Sequence, residues 1–292
     1  MTPSKSAMNA SIGLYAFSTK KPANIPLKSE TITSLVIIAK MIVSSDIAID
    51  NIPYSIEGLY HMKIVLALCL TLITIQAQTK QLLVITTKNW STPIGSLQRY
   101  ELHDTSWKKV GNKIDIKLGR NGLGWGIGLH EVPKDAKIMK KEGDGKAPAG
   151  IFSLKQAFGY APFNIEYPYV VYKETDHCVD DVNSKYYNKI VDSTKIERDY
   201  KSHERMEFPK DYYKYGIVVD HNGITKGTKS KKGAGSCIFV HIKSVPTAGC
   251  TVMTESEIKE VLRWLDPKAE PLLVQGPEAI VTSFWKRIKL SE

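Results

Sequence analysis

The stretch "VHIKSVPTAGCTVM", residues 240–253, ends an apolar run in a histidine and then carries the chain through a short Pro-containing loop to Ala248-Gly249-Cys250. If Cys237 to Ile242 forms a strand, its side chains alternate, with Ile238, Val240 and Ile242 on one face and Cys237, Phe239 and His241 on the other. The first set reads as core and the second lines whatever lies opposite. His241 then leaves the strand on the non-core face, and the loop to Cys250 is long enough to turn the chain back.

Three readings fit that stretch: a thiol nucleophile with its base, a pair of metal ligands, or a buried cysteine beside an unrelated histidine. Cys237, His241, Cys250 and His177-Cys178 supply enough donors for a metal. Along a strand, however, Cys237 and His241 stand about 13 Å apart, too far to share one zinc without a sharp bend. For a nucleophile the surroundings are favourable. A helix is expected from Thr254, and its amino terminus favours a thiolate. Gly249 allows close approach of backbone N–H groups to a developing oxyanion.

Outward from this stretch, the periodicity speaks mainly of strands. Gln81-LLVITT, Lys113-IDIKL, Tyr167-PYVVYK, Tyr215-GIVVDH, Cys237-IFVHI and Pro271-LLVQ are short, rich in β-branched and aromatic residues, and bounded by turn formers. Two helices are expected. Thr254-x-x-Glu257 is a capping box followed by Ile258, Val261, Leu262 and Leu265 on one face, and a second helix covers roughly 278–289. Gly122–Gly128 and Lys229–Gly235 read as loops. The fold class is mainly β with a few helices, a closed or folded sheet rather than a doubly wound one.

Residues 62–77, MKIVLALCLTLITIQA, read as a secretory signal peptide: one lysine, an uncharged block from Ile64 to Ile75, and a small residue at Ala77. The block is too short for a permanent bilayer span, which takes roughly 20 residues. Residues 1–61 read as an extension ahead of a true start at Met62, expected to be disordered or poorly packed. From Gln78 onward about 215 residues suit one domain. This part holds 34 of the 40 basic and 26 of the 30 acidic residues. Its positive balance suits anionic polymers such as cell-wall material. The lysines are scattered without an aromatic ladder or base-reading motif, so nucleic acid is not the expected partner.

Phe239-Val-His241 and Ala248-Gly249-Cys250 resemble the catalytic signature of the exported L,D-transpeptidase (YkuD-like) family, in a divergent branch carrying Thr-Ala-Gly-Cys. The usual Ser-His before Gly-Cys is here Thr247-Ala248. Gly119-Arg120-Asn121-Gly122 with Lys141-Glu-Gly-Asp-Gly-Lys-Ala-Pro148-Ala-Gly150-Ile-Phe152 resembles that branch too. So does Cys178-Val-Asp180-Asp181 with Ser184 and Tyr187-Asn188.

The resemblance implies an L,D-transpeptidase-like β-sandwich or folded sheet with peripheral helices over residues 78–292. It implies an exported, periplasmic or wall-associated enzyme acting on peptidoglycan stem peptides without a cofactor or metal. Cys250 would attack the carbonyl of the L-centre of the diamino acid at stem position three, with His241 as base and then acid. An amine would resolve the thioester into a crosslink, whereas water would make the same site an L,D-carboxypeptidase or amide hydrolase. A wall-binding module without activity is the remaining alternative. Arg120, Asn121, Lys141, Asp144 and Lys146 are candidate substrate-binding residues for stem carboxylates, or else a solvated charge cluster. Gly143, Gly145 and Gly150 read as tight-turn residues, Asp180 and Asp181 as turn caps or paired acids, and His221 as a turn residue. Cys178 and Cys237 are free to pair in an oxidising compartment, which leaves Cys250 as the odd thiol; the sequence does not decide whether they do.

Overall fold

A computed structural model describes residues 79–207, 210–225 and 230–290. The extension at 1–61 and the signal peptide at 62–77 lie outside the described residues. In chain order the strands are β1 Gln81–Thr87, β2 Ile94–His103, β3 Ser106–Lys117, β4 Leu123–Trp125, β5 Ala147–Gly159, β6 Tyr169–Val171, β7 Asp176–Val179, β8 Ile190–Asp192, β9 His203–Arg205, β10 Gly216–Val219, β11 Phe239–Ile242, β12 Thr251–Met253 and β13 Leu272–Pro277. Helix α1 spans Glu255–Trp264 and α2 spans Glu278–Leu290. The protein is mainly β, as its periodicity predicts.

The large sheet runs β10-β11-β12-β3-β2-β1-β13-β5, and β5 pairs back onto β10, closing a barrel-like ring. Closure removes the open edges that an isolated sheet would present. Inside the ring lie Leu83, Ile85, Leu97, Ile116, Phe152, Leu154, Ile217, Ile238, Val240 and Met253. Helix α1 adds Ile258, Val261, Leu262 and Leu265 to this core. Each such side chain gains roughly 1.5–3 kcal/mol by leaving water. The capping box is formed as expected, since Thr254 Oγ1 accepts from the Glu257 N–H and the Thr254 N–H donates to the Glu257 carboxylate.

A three-stranded sheet, β8-β7-β9, stands apart from the ring in its pairing. Outward-facing Phe158, Val218, Phe239 and Cys250 of the ring cluster with its Cys178 and with Met206 and Tyr213. The strand expected over residues 237–242 is shorter than read, beginning at Phe239 with Cys237 at φ +53°, but the facing is as expected: Ile238 and Val240 point inward, while Cys237 and Phe239 point outward. Cys178 and Cys237 form a disulfide that ties the small sheet to the ring.

Some elements differ from expectation. Gly122–Gly128, read as a loop, contains β4, which pairs parallel to β5. The long β2–β3 hairpin and β5 were not expected in full. Gly143 and Gly145, each at φ +70°, and Gly150, at φ +148°, occupy positive-φ positions that suit turns and tight approaches.

Candidate active site

β11 and β12 run parallel, with Val240 beside Thr251, His241 beside Val252 and Ile242 beside Met253. Continuing that register places Cys250 beside Phe239. Residues two apart share a face, so Cys250 and His241 stand on the same outward face of neighbouring strands, roughly 8 Å apart at Cα. Both line a cavity of about 270 Å³ between the ring, the small sheet and the 140–143 loop. Cys250 is 8% exposed and His241 only 4%.

His241 Nδ1 lies 3.2 Å from the Tyr212 carbonyl oxygen and 3.1 Å from that of Ile242. Carbonyls only accept, so Nδ1 carries the proton and Nε2 keeps its lone pair. Nε2 has no hydrogen-bond partner among the described residues. The Tyr213 ring packs edge-on against the imidazole, with centroids 4.9 Å apart, and fixes its plane. Burial pushes the imidazole down to about 4, so the ring is neutral at ordinary pH.

The thiol donates to the Cys237 carbonyl and accepts from the Phe239 N–H, both at 3.4 Å. Cys237 itself sits at φ +53°. It is held there by the disulfide and by the bond from its N–H to Asn188 Oδ1, 3.0 Å. Burial, reinforced by the Glu204 carboxylate, pushes the Cys250 thiol up to about 12. The resting pair is therefore thiol and neutral imidazole. The thiolate expected from the nearby helix end is not supported by the arrangement, because β12 intervenes. The α1 amino terminus is consequently about 13 Å along the chain, and its influence fades within a turn.

Thr247 organises the turn before the thiol. Its Oγ1 donates to the Cys250 carbonyl at 2.6 Å and accepts from the Gly249 N–H at 3.0 Å. Of the two amides expected to face an oxyanion, Gly249 is thus engaged, and the Cys250 N–H remains.

Arg120, Asn121, Lys141, Asp144 and Lys146 do not line the cavity. They knit together at its rim: Asn121 Nδ2 donates to the Asp144 carbonyl, Lys146 Nζ to the Asn121 carbonyl, and the backbone N–H groups of Lys141 and Lys146 to the Asp144 carboxylate. The Arg120 N–H bonds the Thr247 carbonyl, so this rim braces the cysteine loop. A Cβ on Gly119 would lie 2.4 Å from the Gly145 carbonyl oxygen, which is why the two loops approach so closely.

Asp181 caps turns through the Asn183 and Lys201 N–H groups, whereas Asp180 lines the cavity. His221 immediately precedes the turn at residues 222–223. It is buried, accepting from the Ile127 N–H and bonded to the Ala234 carbonyl. The sulfurs of Cys178 and Cys237 are taken by each other, which removes two donors from the metal reading. Tyr213, Glu204, Lys140, Glu142 and Lys243 also line the cavity and were not singled out by the sequence, because they come from distant segments.

No family model and no curated protein matches the chain. Among solved structures, Bdellovibrio bacteriovorus Bd1075 is similar at a TM-score of 0.33 and 11% identity, over 74% of this chain and 58% of that one. The chain thus spans less than two thirds of Bd1075. A likeness this distant decides neither fold nor function. No helix among the described residues is long and apolar enough to cross a membrane.

Proposed function

We propose that the protein is an exported cysteine L,D-transpeptidase, with the L,D-transpeptidase fold, that acts on peptidoglycan stem peptides. One observation carries the reading: a buried thiol and an imidazole with its Nε2 lone pair free share one face and one cavity. A merely structural cysteine gives no reason for a partnered Nδ1 and an open Nε2 beside it.

The chemistry follows from that arrangement. On substrate entry the thiol turns from the Cys237 carbonyl toward His241, and Nε2 takes its proton as sulfur bonds the acyl carbon. The Cys250 N–H steadies the oxyanion. Collapse expels the terminal D-alanine, whose amine takes the proton from Nε2, and a thioester remains. An acceptor amine or water then attacks, returning its proton through Nε2 and restoring the thiol. Neutral reactants suit this sequence, because the proton leaves the sulfur as the bond forms and neither the thiol nor the imidazole has to be charged in its buried position beforehand.

Incubating the purified protein with disaccharide tetrapeptide and weighing the products tests the reading. A crosslinked dimer indicates transfer, and a tripeptide indicates hydrolysis. Unchanged substrate points instead to a wall-binding module.

A further inference from the structure

We propose that Asp180 and Glu204 form an ammonium-binding wall of the Cys250 cavity, so that the acyl donor it accepts carries a free primary amine. This rests on the proposed function only for the identity of that donor. The placement is built into the small sheet. Cys178 lies directly opposite Glu204 in the β7–β9 pair, and Asp180 is two residues beyond Cys178. Opposed residues share a face, so Cys178 and Glu204 look the same way, and Asp180, just past the end of β7, lines the same cavity as Glu204. The disulfide from Cys178 to Cys237 turns that face toward the thiol.

The two carboxylates are short of partners. Asp180 Oδ1 is shut off from solvent with no hydrogen-bond partner. Glu204 accepts from the Tyr213 hydroxyl at 3.2 Å, and among the described residues neither acid makes an ion pair. Glu142, the third acid of the cavity, is by contrast filled: the Tyr187 and Ser236 hydroxyls each donate to Oε2 at 2.6 Å, and the Gly143 N–H donates to Oε1. Of the cavity's own cations neither bonds these two acids, although Lys243 lies near enough to Glu204 to offset part of its burial. Lys140 bonds Asp144 at 2.7 Å, and Lys243 lies over the Tyr212 ring at 4.9 Å.

Burial and the neighbouring Asp180 raise the Glu204 carboxyl, a repulsion that a cation between the two relieves. Acids alone do not define a ligand site. Here they face a cavity that also offers His241, 4% exposed with Nε2 unpartnered, and the Cys250 thiol. No group of three or more His, Cys, Asp or Glu donors suited to a metal is gathered among the described residues, which favours an organic cation.

Alkylation of Cys250 tests the wall without assuming a substrate. The full chain is treated with 2-bromoethylamine, which carries an ammonium, or with neutral iodoacetamide, and each rate is divided by that for glutathione. Modification is mapped to Cys250, with Cys250→Ala as the blank. One charge-assisted hydrogen bond predicts about a tenfold preference for the ammonium reagent, abolished in Glu204→Gln and Asp180→Asn proteins of unchanged melting temperature. Equal normalised rates in the wild type, or a preference surviving both variants, would overturn the proposal. A second arm compares tetrapeptides whose position-three side-chain amine is free or acetylated. Wild type should favour the free amine about tenfold and the variants should not discriminate; equal rates in the wild type again overturn it. If both peptides stay intact while the alkylation preference holds, the peptidoglycan reading fails and the ammonium wall stands.

Discussion

His241 is held by two carbonyls at Nδ1 and by the Tyr213 ring at its face, and both contacts act on the protonation state as well as on position. Charging the imidazole would strip it of solvent at a site where the residue is almost wholly buried, so burial holds the group near 4 rather than 6.5. Only the neutral ring takes a proton from sulfur. The acid limb of kcat/KM should therefore fall near pH 4, with activity intact at pH 5.5. A pH–rate profile with its acid limb between 6 and 7 would show that the imidazole is not the buried base. Because the thiol is pushed up to about 12, alkylation of the resting protein should be slow at pH 7 and still rising at pH 10.

At the scale of elements, α1 is fixed by its cap and by its apolar face, and the two contributions separate experimentally. Thr254→Ala removes the acceptor for the Glu257 N–H and should cost about 1 kcal/mol in chemical denaturation while leaving turnover unchanged. What the sequence made legible follows the same physics. α1 carries a clean period of 3.6, whereas β1 and β11 show as short apolar, β-branched runs bounded by turn formers although nearly every residue of each is buried. β5, equally buried and paired with both β13 and β10, hides because its Ala-Pro-Ala-Gly start has the small and turn-forming residues of a loop in place of a β-branched run. The solvent-facing half of β3, Trp107 to Lys113, is mostly polar and offers no stripe. The thiol and imidazole were legible because one strand and one loop present them. Asp180, Glu204 and Tyr213 reach the cavity through tertiary contacts that no spacing encodes.

At the scale of the whole molecule, the disulfide closes a loop of 59 residues and joins the small sheet to the ring. Chain entropy alone puts that closure at about 4 kcal/mol. A Cys178→Ser, Cys237→Ser protein should lose on the order of that stability and most of its activity, because the wall opposite Cys250 comes loose. Full activity with an unchanged melting temperature would contradict this. Acid acts on the fold as well. His221 and His241 are both held near 4 by burial, below their unfolded value of 6.5. Between those values the unfolded chain takes up protons that the folded chain refuses. Stability is therefore complete above about pH 6.5 and falls as pH drops toward 4, by on the order of 3 kcal/mol for each ring. Thermal melts from pH 7 to pH 4 measure it, and a flat melting temperature would contradict it. The central claim, that Cys250 is an acyl carrier served by His241, is tested most directly by acid-quenching the protein during turnover of disaccharide tetrapeptide and weighing its proteolytic peptides. The account predicts a tripeptidyl thioester on the Cys250 peptide, present in the wild type and absent from the His241→Gln protein. Release of D-alanine with no acyl mass on that peptide, or with equal speed in a Cys250→Ala protein, would contradict it.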